Sequence, residues 1–214
     1  MIKKLIILFK IARKLAQLDA LKIASKIHEP PMIVKIFFQI LSLSFSNKNK
    51  KNLNIDEKER LSHSLQEMGT TFIKLGQFLA TRPDIIGEDL SKQLELLQDK
   101  LPPFSLSEAK ANIKKDLGEE SFNSLINISE PVAAASIAQV HKAQINENGI
   151  IKDVAIKILR PNIKKIFNEE IDALMLLAFI IESLVQKTKR LKIVEVVFLL
   201  KEITNLEMDL RFEA

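Results

Sequence analysis

The sequence predicts an α+β fold, mostly helical, with one small antiparallel sheet in its C-terminal half. Apolar residues recur at helical spacing through most of the chain, as at Leu65, Met68, Phe72, Leu75 and Leu79. Acids stand three residues beyond a helix-starting residue at Asp56 and Glu59 and again at Ser105 and Glu108, the spacing of a capping box. After Glu130 the period shortens to alternation, with two β-rich runs around Asn146, Glu147, Asn148 and Gly149.

The 214 residues are 47% hydrophobic and 28% charged, enough for packed units and against wholesale disorder. The net charge is +5, but the cations are scattered among 27 acids. Tyr and Trp are absent, which removes the stacking platforms of single-stranded nucleic-acid binders, so nucleic acid is not an expected partner. The chain has no cysteine, which excludes disulfides and thiolate chemistry and suits a reducing compartment.

Lys3, Lys4, Lys10, Arg13 and Lys14 surround a short apolar run from Leu5 to Phe9. That run, Met32 to Phe45 and Ala173 to Ile181 all fall short of the roughly 20 apolar residues a spanning helix needs. A basic amphipathic N-terminus, or the segment around Phe37 and Phe38, suits peripheral membrane contact; helices packed on the rest of the fold are the other reading. The polar stretch Ser46 to Asn54 reads as a linker, giving a first domain of residues 1–55.

From Asp56 one long helix is expected, running to a turn at Arg82, Pro83 and Asp84. Between Glu67 and Arg82 its only charge is Lys74, and the stripe opposite the apolar seam is Thr70, Lys74, Gln77 and Thr81, with Phe78 beside it. Such a helix is expected to be covered on its back, and a lysine enclosed there needs an anion. The plainer reading is a solvent-facing lysine. A helix at 88–99 stops before Pro102 and Pro103, and a third is expected to close at Gly118. Strands follow at 137–145 and 151–159, then helices at 162–185 and 193–213.

On the second strand Val154, Ile156 and Ile158 point one way, while Ala155, Lys157 and Leu159 share the other face, placing Lys157 among apolar neighbours. Upstream, Ala133, Ala135, Ala138 and Val140 spell AxAxxAxV. Protein kinases carry GxGxxGxV followed by VAIK in the same order. By that likeness Val140 and Ala155 would sandwich an adenine, Lys157 would meet phosphate oxygens, and Ala133, Ala134, Ala135 and Ser136 would form the phosphate loop. Every glycine of that loop is alanine here, which resists positive φ, so the loop is expected to be stiffer than a kinase's. Taken alone, an alanine run reads as a tight packing turn.

The ordered set of motifs resembles the UbiB/ADCK family of atypical kinase-like proteins. It comprises KLGQ at 74–77, TRPDI at 81–85, LQDK at 97–100, PVAAASIAQVH at 131–141, VAIKILRP at 154–161 and NLEMDLRFEA at 205–214. The likeness covers 56–214. It implies a helical N-terminal extension (56–128, with the KxGQ segment) packed on a truncated protein-kinase-like N-lobe (129–214), the C-lobe missing. The resemblance makes Glu207 and Asp209 the natural partners of Lys74, Asp209 a candidate for a nucleotide-bound metal, and Glu213 the partner of Lys157. These acids are placed on different sides of one continuing helix. It further implies ATP or ADP as ligand, with Mg2+ only once a C-lobe is present. The implied role is ATPase-type support of ubiquinone biosynthesis in the bacterial cytoplasm, peripheral on the inner membrane.

The sequence contains no kinase-type catalytic loop or DFG, so activity alone is not expected, and self-association or a complementary C-lobe chain is. The alternative is a non-catalytic membrane- or partner-binding scaffold with a vestigial nucleotide site. His28, His63 and His141 are read as surface or packing residues.

Overall fold

The computed structural model describes residues 2–17, 60–99, 101–147, 149–184 and 186–213. The expectations for His28, Phe37, Phe38, the 46–54 linker, and Asp56 with Glu59 lie outside the described residues. The described chain is mostly helical with a small antiparallel sheet, and it divides into two compact units that each draw on separate stretches of sequence. One comprises Met1–Gln98 and Phe167–Thr204, the other Asp99–Ile166 and Asn205–Ala214.

In the first unit, α1 (Ile2–Gln17) is followed among the described residues by α2 (Arg60–Met68), α3 (Thr70–Ala80), α4 (Pro83–Ile86) and α5 (Glu88–Glu95). The single helix expected through this region is therefore two. Gly69 breaks it, with φ 101° and ψ −171°, a conformation that a side chain would resist. Its carbonyl nonetheless accepts from the Phe72 and Ile73 amides at 3.1 and 3.0 Å, so α3 starts directly on it. The turn expected at Arg82 is one helical turn, because Pro83 at the first position arrives with its φ already set. Helix α5 ends at Glu95 rather than Asp99, leaving 97–99 outside any helix or strand.

The core of this unit gathers Leu65 and Met68 of α2, Phe72 and Ile73 of α3, Leu90 and Leu94 of α5, and Leu97. Phe167 and Ile171 of α7 (Ile163–Leu184) and Val197 and Leu200 of α8 (Ile193–Glu207) are buried too. Gly76 marks the tightest approach: a Cβ there would lie 2.5 Å from Leu97 Cδ2 and 2.8 Å from Leu65 Cδ1. No helix among the described residues is long and apolar enough to cross a membrane.

The second unit opens with α6 (Leu106–Asn123), whose capping box forms as the spacing implies. Ser105 Oγ accepts from the Glu108 amide at 3.3 Å, and Glu108 Oε2 accepts from the Ser105 amide at 3.2 Å. Gly118, at φ 85°, ends the first run of this helix, and a further turn follows. The sheet contains β1 (Leu125–Ile126), β2 (Pro131–Ala134), β3 (Ala138–Glu147) and β4 (Ile150–Leu159). All pairs are antiparallel, with β3 central, β4 on one side, and β1 and β2 in succession on the other.

Two differences from the sequence reading shape the site. Residues 131–134 are a strand rather than loop, since sheet pairing to β3 overrides the weak strand preference of alanine. The β3–β4 ladder extends to Glu147 opposite Ile150, a tighter hairpin than the sequence suggests, with Gly149 at φ 86°. One face of the sheet packs on α6, where Ala109, Ile113 and Ile158 are buried with Phe104, Phe122, Leu125 and Ile156 against them.

The final helix departs from expectation as well. It stops at Glu207, because the Asp209 carboxylate accepts from the Arg211 amide at 3.3 Å and caps a 3-10 turn over Leu210–Phe212. Glu207 and Glu213 therefore do not share one helix.

Candidate nucleotide-binding face

Directly opposed residues of an antiparallel pair point to the same side of a sheet. The register sets Val140 opposite Lys157, Lys142 opposite Ala155, and Ala133 opposite Val140. Ala133, Val140, Lys142, Ala155 and Lys157 thus occupy one face, the face away from α6. Ala133, Lys142, Ala155 and Lys157 are exposed there and Val140 is half-buried. Ala134 lies opposite Gln139, which is buried, and so faces the other way from Ala133.

Lys157 was expected to be enclosed. Its side chain is 38% exposed, on an open face where Val140 lies opposite and the small Ala155 lies along the strand. Its partner is Glu213, whose Oε2 accepts from Lys157 Nζ at 2.5 Å with the glutamate side chain 51% exposed. The acid implied by the resemblance is thus in contact with this lysine.

The alanine-rich stretch forms the β2–β3 hairpin, closed by the Ala135 amide donating to the Ala138 carbonyl at 2.8 Å, with Ser136 and Ile137 at the tip. Ser136 is fully buried and Ile137 nearly so. Arg160 holds this tip: Nε and Nη2 donate to the Ala135 carbonyl at 3.0 and 2.8 Å, and the Arg160 amide donates to the Ile137 carbonyl at 2.9 Å. The rest of the guanidinium reaches the Leu101 and Pro102 carbonyls at 3.2 and 3.0 Å. Burial pulls the Arg160 pKa down, and the charge of Asp99 opposes that shift. Asp99 Oδ1 accepts from the Ser136 amide at 3.2 Å.

Behind the hairpin Gln139 and His141 make a buried polar network. The Gln139 amide accepts from the Phe104 amide at 3.0 Å and donates to the Phe104 carbonyl at 3.1 Å. His141 Nδ1 lies 2.8 Å from the Ser129 carbonyl, which can only accept, so Nδ1 carries the proton and Nε2 is free to accept from Gln139 Nε2 at 2.8 Å. His141 is a packing residue. The sequence reading gave no role to Asp99, Arg160 or Gln139. For Gln139 and Arg160 the signal was polarity in or beside a strand-like run, while Asp99, between Gln98 and Lys100, gave none.

Asp209 is engaged by Arg211, with Nε to Oδ1 at 2.7 Å and Nη2 to Oδ2 at 2.5 Å. The Arg211 hydrogen bonds, with smaller help from the Lys164 charge, hold the Asp209 pKa at about 2. Among the described residues no three His, Asp or Glu side chains gather to hold a metal. Glu207 ends α8, half-buried, in the second unit.

Lys74 belongs to the first unit and is half-buried on α3. Helix α3 is covered on its back at the N-terminal end, where Thr70 and Thr71 are buried and Thr71 Oγ1 donates to Glu170 Oε2 of α7 at 2.5 Å. The cover ends by Thr81, which is exposed.

Residues 96–214 match the model of the ABC1 atypical kinase-like domain. A protein of Marinobacter nauticus named probable protein kinase UbiB is 36% identical over 187 residues, 87% of this chain and 33% of the relative. Proteins of the same name from Shewanella baltica and Vibrio atlanticus are 35% and 37% identical over 188 and 167 residues, covering 86% and 77% of this chain and 34% and 30% of theirs. The chain thus spans about a third of the length of these relatives. No solved structure matches it.

Proposed function

Because the chain belongs to the ABC1 atypical kinase-like family, we propose that it is the N-terminal, nucleotide-binding part of a UbiB-like atypical kinase or ATPase that supports ubiquinone biosynthesis. The reading rests on one observation above the rest: Lys157, paired to Glu213, shares an open sheet face with Val140 and Ala155. A small alanine and a valine leave room for an adenine ring, and a lysine steered by a carboxylate offers charge to the phosphates of ATP or ADP. Glu207, Asp209 and Lys74 are the remaining family-motif residues, and Mg2+ is assigned to a site completed by residues outside this segment. Catalysis is assigned there too, so this chain alone binds without turnover.

Titration of the whole chain with ADP and ATP, with and without Mg2+, tests this. Binding lost in Lys157→Met is the expected result, and no binding of either nucleotide to the wild-type chain overturns it.

A second reading, a membrane- or partner-binding scaffold, draws support from exposed apolar side chains. Leu5, Ile6 and Phe9 are about half-exposed on α1, which carries Lys3, Lys4, Lys10, Arg13 and Lys14 and no acid. That suits peripheral contact with the anionic inner face of a bacterial membrane. Phe179, Phe198 and Leu199 are exposed on α7 and α8, which suits self-association or docking of a C-lobe chain. Vesicle co-sedimentation and light scattering read these out. A monodisperse monomer that ignores anionic vesicles removes this reading.

A further inference from the structure

We propose that Asp99 is an internal competitor for the alanine-rich loop, holding the Ser136 amide as a phosphate oxygen would, so that nucleotide phosphate engages the loop tip only when Asp99 releases it. The proposal rests on the nucleotide reading above and adds a residue that limits it. A main-chain N–H at the tip of a tight hairpin is an anion donor. At this tip the donor is already given to an anion, the chain's own carboxylate, at 3.2 Å.

The geometry makes this contact a clamp rather than a passing bond. Arg160 grips the carbonyl of Ala135, next to Ser136 in the chain, with two nitrogens, and its remaining bonds go to the Leu101 and Pro102 carbonyls. Those residues follow Asp99 closely, so one guanidinium ties the hairpin tip to the stretch that carries the carboxylate. Ser136 is fully buried beneath this arrangement.

A glycine loop could escape by swinging a different amide toward the ligand. With methyl groups at Ala133, Ala135 and Ala138 the backbone has no easy access to positive φ, and the occupied amide cannot readily be replaced by another. An incoming phosphate therefore meets a missing donor and a like charge together.

The test compares wild type with Asp99→Ala and Asp99→Asn by nucleotide titration and by amide hydrogen exchange. Asn keeps the size and an acceptor oxygen but drops the charge, so it keeps the experiment decisive if the alanine variant folds poorly. ADP and ATP are expected to bind Asp99→Ala about tenfold more tightly than wild type, roughly the worth of one freed charge-assisted hydrogen bond, with Asp99→Asn between them. The Ser136 amide is expected to exchange faster in Asp99→Ala and to regain protection when either nucleotide is added. If wild type binds nucleotide through Lys157 while both Asp99 variants bind equally or more weakly, the competitor role is overturned and the nucleotide reading stands. If neither wild type nor the variants bind nucleotide, both are overturned.

Discussion

Lys157 Nζ lies 2.5 Å from Glu213 Oε2, yet both side chains remain substantially open to solvent, at 38% and 51% exposure. An ion pair so exposed contributes little to folding, on the order of 0–1 kcal/mol. Lys157→Met is therefore expected to leave the denaturant midpoint almost unchanged while removing nucleotide affinity. Glu213→Gln is expected to weaken nucleotide binding as well, because the ammonium loses the carboxylate that steers it. A large loss of stability in Lys157→Met would mean that the pair holds the fold, and unchanged affinity in Glu213→Gln would remove Glu213 as the functional partner.

Arg160 carries a different load. Its guanidinium satisfies the Ala135, Leu101 and Pro102 carbonyls together, and a lysine's single ammonium cannot span that fork. Arg160→Lys is expected to cost about 2 kcal/mol and Arg160→Ala about 3, the scale of losing charge-assisted bonds to partly buried carbonyls. Chemical denaturation measures this, and a cost for Arg160→Ala inside experimental error would show that the clamp is weak.

Much of this arrangement was legible because it depends on local spacing. The Ser105 and Glu108 capping box and the alternation that puts Lys157 and Ala155 on one face both appear in the structure, while the pairing of Lys157 with Glu213, which the structure also contains, was implied by the family resemblance and not by spacing. The misses come from backbone pairing and capping that the spacing of apolar residues does not encode. The pairing of 131–134 with β3 turns an alanine run into a strand, and Asp209 capping its own turn ends α8 early. The break at Gly69 is of another kind, since apolar spacing continues through it and only the glycine hints that the backbone turns. The grouping of Phe167–Thr204 with the N-terminal helices, rather than with the sheet that precedes them in sequence, has no local signal at all.

Gly76 is needed for packing rather than for a turn. A methyl group there would sit 2.5 Å from Leu97 Cδ2 and 2.8 Å from Leu65 Cδ1, and both leucines are buried. Gly76→Ala gains helix propensity worth about 1 kcal/mol, but the overpacking of a filled site costs about 1–3 kcal/mol. The net expectation is a lowered melting temperature, relieved by pairing Gly76→Ala with Leu97→Ala. A stabilised single variant would show that the leucines move aside freely.

The Asp209 carboxylate offers a pH readout whose sign is fixed by its partner. Hydrogen bonds from Arg211 hold its pKa at about 2, against an ordinary 3.8. A depressed carboxylate stabilises the folded turn above the ordinary value and loses that contribution as pH falls through its own. The 3-10 turn at Leu210–Phe212 should therefore hold at neutral pH and loosen between about pH 4 and 2, without any change on the alkaline side. Carboxyl-carbon NMR should give Asp209 a midpoint near 2, and Arg211→Ala should return it toward the ordinary range. Arg211 also occupies both carboxylate oxygens, so its removal should make Asp209 more available to Mg2+. A wild-type midpoint at the ordinary value would mean that arginine and aspartate part in solution, leaving Asp209 open to metal without any substitution.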